Sequence, residues 1–150
     1  MEFTPSKLNT FLLVKLPSAY ISGVRVTQIS TEQCTVTVKH RWINQNPFGS
    51  MYFATQAMAA ELSTGAMVMY HIKNSGKKIS MLVANNRGNF SKKAKGRIMF
   101  TCNDGHLIEE AINTAIATGE GQTFWMTSIG KDAAGDQVSH MEFEWSVKVK

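Results

Sequence analysis

The segment 49–70 constrains the fold more than any other stretch of the chain, because wound as a helix it is apolar on nearly every side. Ala59, Leu62, Ala66 and Met69 make one stripe, and Ala54, Ala57, Met58, Gly65 and Val68 flank the other. A helix of about 22 residues spans roughly 33 Å. One that is hydrophobic all round belongs inside a protein, wrapped by other elements, and the small residues here let those elements approach closely. Between Arg41 and Lys73 there is one formal charge, Glu61, near the middle of this segment. An unpaired carboxylate in a low-dielectric interior either finds partners or raises its pKa until it binds a proton. The segment 49–70 contains no basic residue. A partner for Glu61 must come from another segment or another chain, or the site must admit water, which makes Glu61 a functional candidate.

The rest of the chain supplies elements to surround that helix. Pro5–Lys15 reads as a short helix ended by Pro17, and alternation predicts strands over 24–30 and 33–40, joined at Thr31-Glu32. Asn46 reads as an N-cap and Pro47 as the first residue of the long helix. After a loop at 73–78, strands are expected over 79–86 and 96–103. A helix follows at Gly105–Thr118, capped by Asp104 and stopped by Gly119. Strands at 122–130 and 137–149 form a closing hairpin. In the last of these Met141, Phe143, Trp145, Val147 and Val149 fall on one face, and His140, Glu142, Glu144, Ser146 and Lys148 on the other. One face is core and one is water.

At 150 residues, 43% of them hydrophobic, the chain is long enough for one domain spanning 1–150 with a sizeable core. The net charge of +5 favours anionic partners such as phosphates. The stretch MEFTPSKLNT lacks the basic and apolar runs of a secretory signal. Glu61, Gln56, Ser63, Thr64 and Gly65 at the centre of the apolar segment argue against a membrane span. Cys34 and Cys102 lie in strand-like runs without metal-ligand spacing, so two core thiols in a reduced, cytoplasmic setting are expected. The four His residues are scattered, and neither a metal site nor a Gly-x-Ser-x-Gly nucleophile motif is present. The basic run Ser91-Lys92-Lys93-Ala94-Lys95-Gly96-Arg97 lacks interleaved aromatics and any helix-turn-helix or sheet-aromatic motif, which disfavours nucleic acid.

The stretch Arg41-Trp42-Ile43-Asn44-Gln45-Asn46-Pro47-Phe48-Gly49-Ser50, then Glu61 with Thr64-Gly65, resembles the hotdog thioesterase superfamily. The branch most similar is that of small uncharacterised domains related to phenylacetyl-CoA-type thioesterases. The helix before the closing hairpin and the ending Met141-Glu142-Phe143-Glu144-Trp145-Ser146-Val147 extend the resemblance over nearly the whole chain. It implies an α+β hotdog fold, an antiparallel sheet of about six strands wrapped around the long helix. It also implies hydrolysis of acyl-CoA thioesters, with coenzyme A as part of the substrate and no separate cofactor. In the superfamily an Asn or Gln precedes the helix carboxylate by fifteen positions, as Asn46 precedes Glu61 here. The resemblance makes Glu61 the general base or nucleophile, Asn46 the group that orients water or the carboxylate, and the Phe53 backbone N–H the donor that polarises the thioester carbonyl. Ser80 becomes a helper at the start of the following strand. Lys92, Lys93, Lys95 and Arg97 become the landing site for the phosphates of coenzyme A. From the resemblance we expect a homodimer made by pairing the strands at 79–86 of two copies, or a tetramer made of two such dimers, with the sites between subunits.

Tyr52-Phe53-Ala54 stands where the superfamily usually has His-Gly-Gly. That bulk supports a second reading, a hotdog protein that binds an acyl or coenzyme A ligand without turnover. A hotdog dehydratase is a third reading, but it calls for a His near the helix start, where this sequence has none.

Overall fold

A computed structural model describes residues 2–150. Helix α1 (Pro5–Lys15) begins at Thr4, whose side chain accepts a hydrogen bond from the Lys7 N–H, and buries Leu8 and Leu12. Pro17 ends α1 as expected, yet it also opens a second short helix, α2 (Pro17–Ile21). A proline has no N–H to lose at the first helical position, so it stops one helix and starts the next equally well.

Strands β1 (Arg25–Ile29), β2 (Cys34–Lys39), β3 (Ile79–Phe90), β4 (Arg97–Cys102), β5 (Gln122–Lys131) and β6 (Gln137–Val149) form one antiparallel sheet in the order β1-β2-β4-β5-β6-β3. The inward faces of β2, β4, β5 and β6 bury Val36, Val38, Ile98, Phe100, Met126, Phe143 and Val147. Helix α3 (Phe53–Ser75) packs against β1, β2, β4, β5 and β6, and against α4 (Gly105–Thr118). The sheet therefore wraps the long helix, the arrangement the resemblance implies. Strand β3 runs to Phe90, four residues beyond the expected end, through Asn85, Asn86, Arg87, Gly88 and Asn89. These are poor strand formers, and pairing with the regular alternation of β6 overrides their local preference.

The start of α3 differs from the sequence reading. Asn46 is not its N-cap and Pro47 not its first residue, because the helix begins at Phe53 with Tyr52 in the capping position. Asn46-Pro47-Phe48-Gly49 instead forms a turn, with the Gly49 N–H donating to the Asn46 carbonyl at 3.4 Å. Asn at the first position, Pro at the second and Gly at the fourth suit such a turn, and Gly49 has φ of 74°, a region open to glycine. At its other end α3 continues to Ser75 through what reads locally as loop, and Gly76 closes it. Asp104 precedes α4 as expected, but its carboxylate accepts from the Thr127 N–H at 2.7 Å and makes no cap bond to α4. Cys34 and Cys102 face each other across β2 and β4 as buried free thiols, each pushed up to about 12 mainly by burial.

Candidate active site

Glu61 sits on α3 beside a cavity of about 190 Å³ lined by Phe11, Lys15, Leu16, Met69, Met81 and Trp145. Lys15 forms no ion pair with it, and no hydrogen bond reaches its carboxylate among the described residues. Burial alone pushes the Glu61 pKa from 4.5 up to about 7. Trp145 forms part of the apolar wall beside it. The next helical turn carries Gly65, where a Cβ would lie 2.9 Å from Trp145 Cζ2 and 3.3 Å from Glu61 Oε1. Only glycine lets the indole close on the helix at this level. Trp145 is held there by its Nε1–H, which donates to Thr64 Oγ1 at 2.9 Å, while the Thr64 hydroxyl donates to the Glu61 carbonyl at 2.7 Å. The Thr64-Gly65 pair is thus the device that seats the tryptophan beside the acid.

A larger cavity, about 510 Å³, opens at the start of α3. Exposed Phe48, Tyr52, Phe53 and Phe90 form its rim, with Tyr52 edge-on to Phe53 and Phe53 edge-on to Phe90. Buried Ser50, Met51, Gln56 and Ala94 form its floor. Thr55 and Gln56 both donate backbone N–H bonds to the Tyr52 carbonyl. The N–H groups of Phe53 and Ala54 belong to the first turn, where the helix supplies no acceptor, and its dipole favours negative charge.

Asn46 lines this cavity, and its side chain is occupied. Oδ1 accepts from the N–H of Phe48 at 2.9 Å and of Ser50 at 3.2 Å, while Nδ2 donates to Ser50 Oγ at 3.0 Å and to the Met51 carbonyl at 3.3 Å. It holds the turn that delivers the chain to α3.

Asn46, Phe53, Lys92 and Lys93 therefore come together at one cavity, and Glu61 lies at another. Eight residues separate Phe53 from Glu61, about 12 Å along a helix axis. Ser80 is exposed on the face of β3 opposite Met81, which lines the Glu61 cavity, and its hydroxyl donates to the Lys148 carbonyl at 3.2 Å. Lys95 and Arg97 do not line the large cavity. Lys92 lines it but is committed elsewhere, bonded to Asp132 at 2.7 Å and Asp136 at 2.8 Å, pairs that raise its pKa and lower that of Asp132. Among the described residues the Lys93 Nζ donates only to the Phe48 carbonyl, at 3.5 Å. One residue enters the sequence reading only as an argument against a membrane span and not as a site residue. Gln56 is 4% exposed, and its Oε1 is buried without a partner; the available signal was an amide one turn inside an otherwise apolar helix. Among the described residues no three His, Cys, Asp or Glu side chains gather as metal ligands, and no helix is long and apolar enough to cross a membrane.

The fold is shared with solved structures over nearly the full chain. A Pseudomonas aeruginosa protein of unknown function, described as a probable thioesterase, superposes with a TM-score of 0.80 at 20% identity, covering 98% of this chain and 97% of that one. A thioesterase from Haemophilus influenzae gives 0.76 at 12% identity, covering 99% and 93%. A mutant of a second Pseudomonas aeruginosa thioesterase gives 0.74 at 13% identity, covering 100% and 97%. Likeness at such low identity bears on the fold, which is the hotdog fold. No curated protein matches the sequence. A family model does match it, over residues 6–147, and the chain belongs to that family, the domain of unknown function DUF4442.

Proposed function

We propose that the protein hydrolyses acyl-CoA thioesters, at two sites each shared between two copies of the chain. The observation that carries this reading is Glu61, an unpaired carboxylate that titrates near neutral pH beside an open cavity. A base poised near the working pH is what general base catalysis requires. Its desolvated surroundings keep the carboxylate reactive once it ionises.

The thioester carbonyl oxygen meets the N–H of Phe53 at the start of α3. Glu61 takes a proton from water as the water oxygen attacks the carbonyl carbon, and the resulting oxyanion is stabilised by that N–H and the helix terminus. Collapse breaks the carbon–sulfur bond, and the thiolate takes the proton from Glu61. The products are a carboxylic acid and free coenzyme A. The likeness to proteins named as thioesterases supports the same reaction class.

Within one chain the two groups cannot act on one carbonyl. They lie about 12 Å apart along the helix, in separate cavities. A two-fold related copy supplies the missing half, so that Phe53 of one subunit works with Glu61 of the other. Strand β3 offers the pairing edge: it is hydrogen-bonded only to β6, is twelve residues long, and exposes Leu82 at 66%. A bare edge of this length calls for a partner. Lys93, with Lys95 and Arg97 nearby in sequence, serves the phosphates of coenzyme A, whereas Lys92 is neutralised by its two aspartates.

Hydrolysis of a panel of acyl-CoA thioesters by wild type and Glu61→Gln tests the reading, together with the mass in solution. Thioester cleavage that depends on Glu61 in a dimer is expected. Binding without Glu61-dependent release would replace hydrolysis by simple ligand binding, and a monomer would remove the shared site.

A further inference from the structure

The floor of the cavity at the start of α3 contains a group that the reaction above does not use. Gln56 is 4% exposed, lines the cavity, and has no hydrogen-bond partner for Oε1. Buried amides are almost always paired, because an unpaired one loses its bonds to water and gains nothing in return. The neighbouring polar groups are already taken: Asn46 and Ser50 bond to each other, and the Gln56 N–H donates to Tyr52. Met51 and Ala94 beside it, and the aromatic rim above, offer only apolar surface.

We propose that Gln56 selects the substrate by binding a hydroxyl group on its acyl portion; this rests on the thioesterase reading for the identity of the ligand. The phosphorylated end of coenzyme A needs water and cations and stays at the exposed rim near Lys93. The acyl group is the part that enters an apolar cavity, whose volume of about 510 Å³ accepts a ring or a medium-length chain. At the floor it meets Gln56, whose buried Oε1 comes within reach of an incoming hydroxyl by rotation of the terminal amide about its last side-chain bond, a broad and soft torsion. A hydroxyl both donates and accepts, so it satisfies either end of the amide. A carboxylate only accepts and an ammonium only donates, and both would leave a charge in apolar surroundings. A purely hydrocarbon acyl group fills the same space but leaves the amide unpaired, and sites built to pair with a hydroxyl discriminate against analogues that lack it.

The test compares matched thioesters of coenzyme A with and without a hydroxyl, 3-hydroxyphenylacetyl against phenylacetyl and 3-hydroxyhexanoyl against hexanoyl, on wild type, Gln56→Leu and Gln56→Met. Wild type should favour the better-fitting hydroxylated member by about 5- to 150-fold in kcat/KM, the span expected for one buried hydrogen bond. Both variants should lose that preference while still cleaving the hydrocarbon member. The ligand-free variants should melt at a higher temperature than wild type, since each replaces an unpaired amide with apolar surface. Equal rates for both members of each pair on wild type, or a preference that survives in Gln56→Leu, would overturn the proposal. So would variants that melt well below wild type, because Gln56 would then be structural. If no thioester is cleaved, it is the thioesterase reading that fails. The same comparison by calorimetry on the free acids then decides the role of Gln56, with preferential and Gln56-dependent binding of the hydroxy acids supporting it and indifference overturning it.

Discussion

Two cavities open along α3, and each has what the other lacks. The one at the helix start has uncommitted N–H groups, an aromatic rim and no acid. The one at mid-helix has the acid, held against Trp145, and no comparable donor. A helix dipole acts within its first turn, whereas a carboxylate titrates upward only where the helix is well covered. The two properties therefore separate along the helix, and a second copy running the other way is the simplest means of reuniting them.

The sharpest way to break this contrast is to remove the acid. Glu61→Gln should lower kcat for thioester hydrolysis by about 10²- to 10⁴-fold, the range for losing a general base, with KM little changed. Wild-type kcat should rise with pH through about 7, following ionisation of Glu61. A flat profile between pH 5 and 9 would contradict the role. Next in size is removal of the donor at the other cavity. Phe53→Pro deletes one N–H at a first helical position, where proline is tolerated, and Tyr52 before it already has φ of −62° and ψ of 136°, a conformation compatible with a following proline. Stopped-flow or steady-state rates should fall about 10²- to 10³-fold with the helix content unchanged by circular dichroism.

Stability separates the cavities in a different way. The folded chain keeps the Glu61 proton up to about pH 7, the unfolded chain only to about 4.5. The folded state binds the proton more tightly, so the wild type loses stability as pH rises between those values. Glu61→Gln removes that loss. It should be more stable than wild type at pH 8, by on the order of 3 kcal/mol at most, and the gap should close below pH 4.5. Chemical denaturation at both pH values checks the sign. The smallest effect concerns the rim: Lys93→Ala should raise KM for acyl-CoA about two- to fivefold, as an exposed ion pair allows. Lys92→Ala should leave KM unchanged, since Asp132 and Asp136 already hold that charge.

Much of the framework could be read from local pattern. The strict alternation of β6 marks its bounds directly, Asp104 and Gly119 mark the ends of α4 even though the Asp104 carboxylate bonds to β5 and not to the helix, and α1 is equally plain. The start of α3 was not, because Asn46-Pro47 serves a helix start and a turn alike, and the left-handed Gly49 decides for the turn. Glu61 stood out by its charge alone. Gln56 could not, since its interest lies in having no partner, and that depends on what surrounds it in three dimensions. The commitment of Lys92 is equally invisible locally, as Asp132 and Asp136 arrive from the β5–β6 loop.

The central claim, that one working site joins Phe53 of one subunit to Glu61 of another, is tested most directly by mixing two inactive variants. Co-expressed Glu61→Gln and Phe53→Pro subunits form mixed dimers in which one site has an intact N–H facing an intact carboxylate. With random pairing half the dimers are mixed and one of their two sites works, so about a quarter of wild-type activity should return. Activity no higher than that of the two separate variants would place both groups in a single subunit and contradict the shared site.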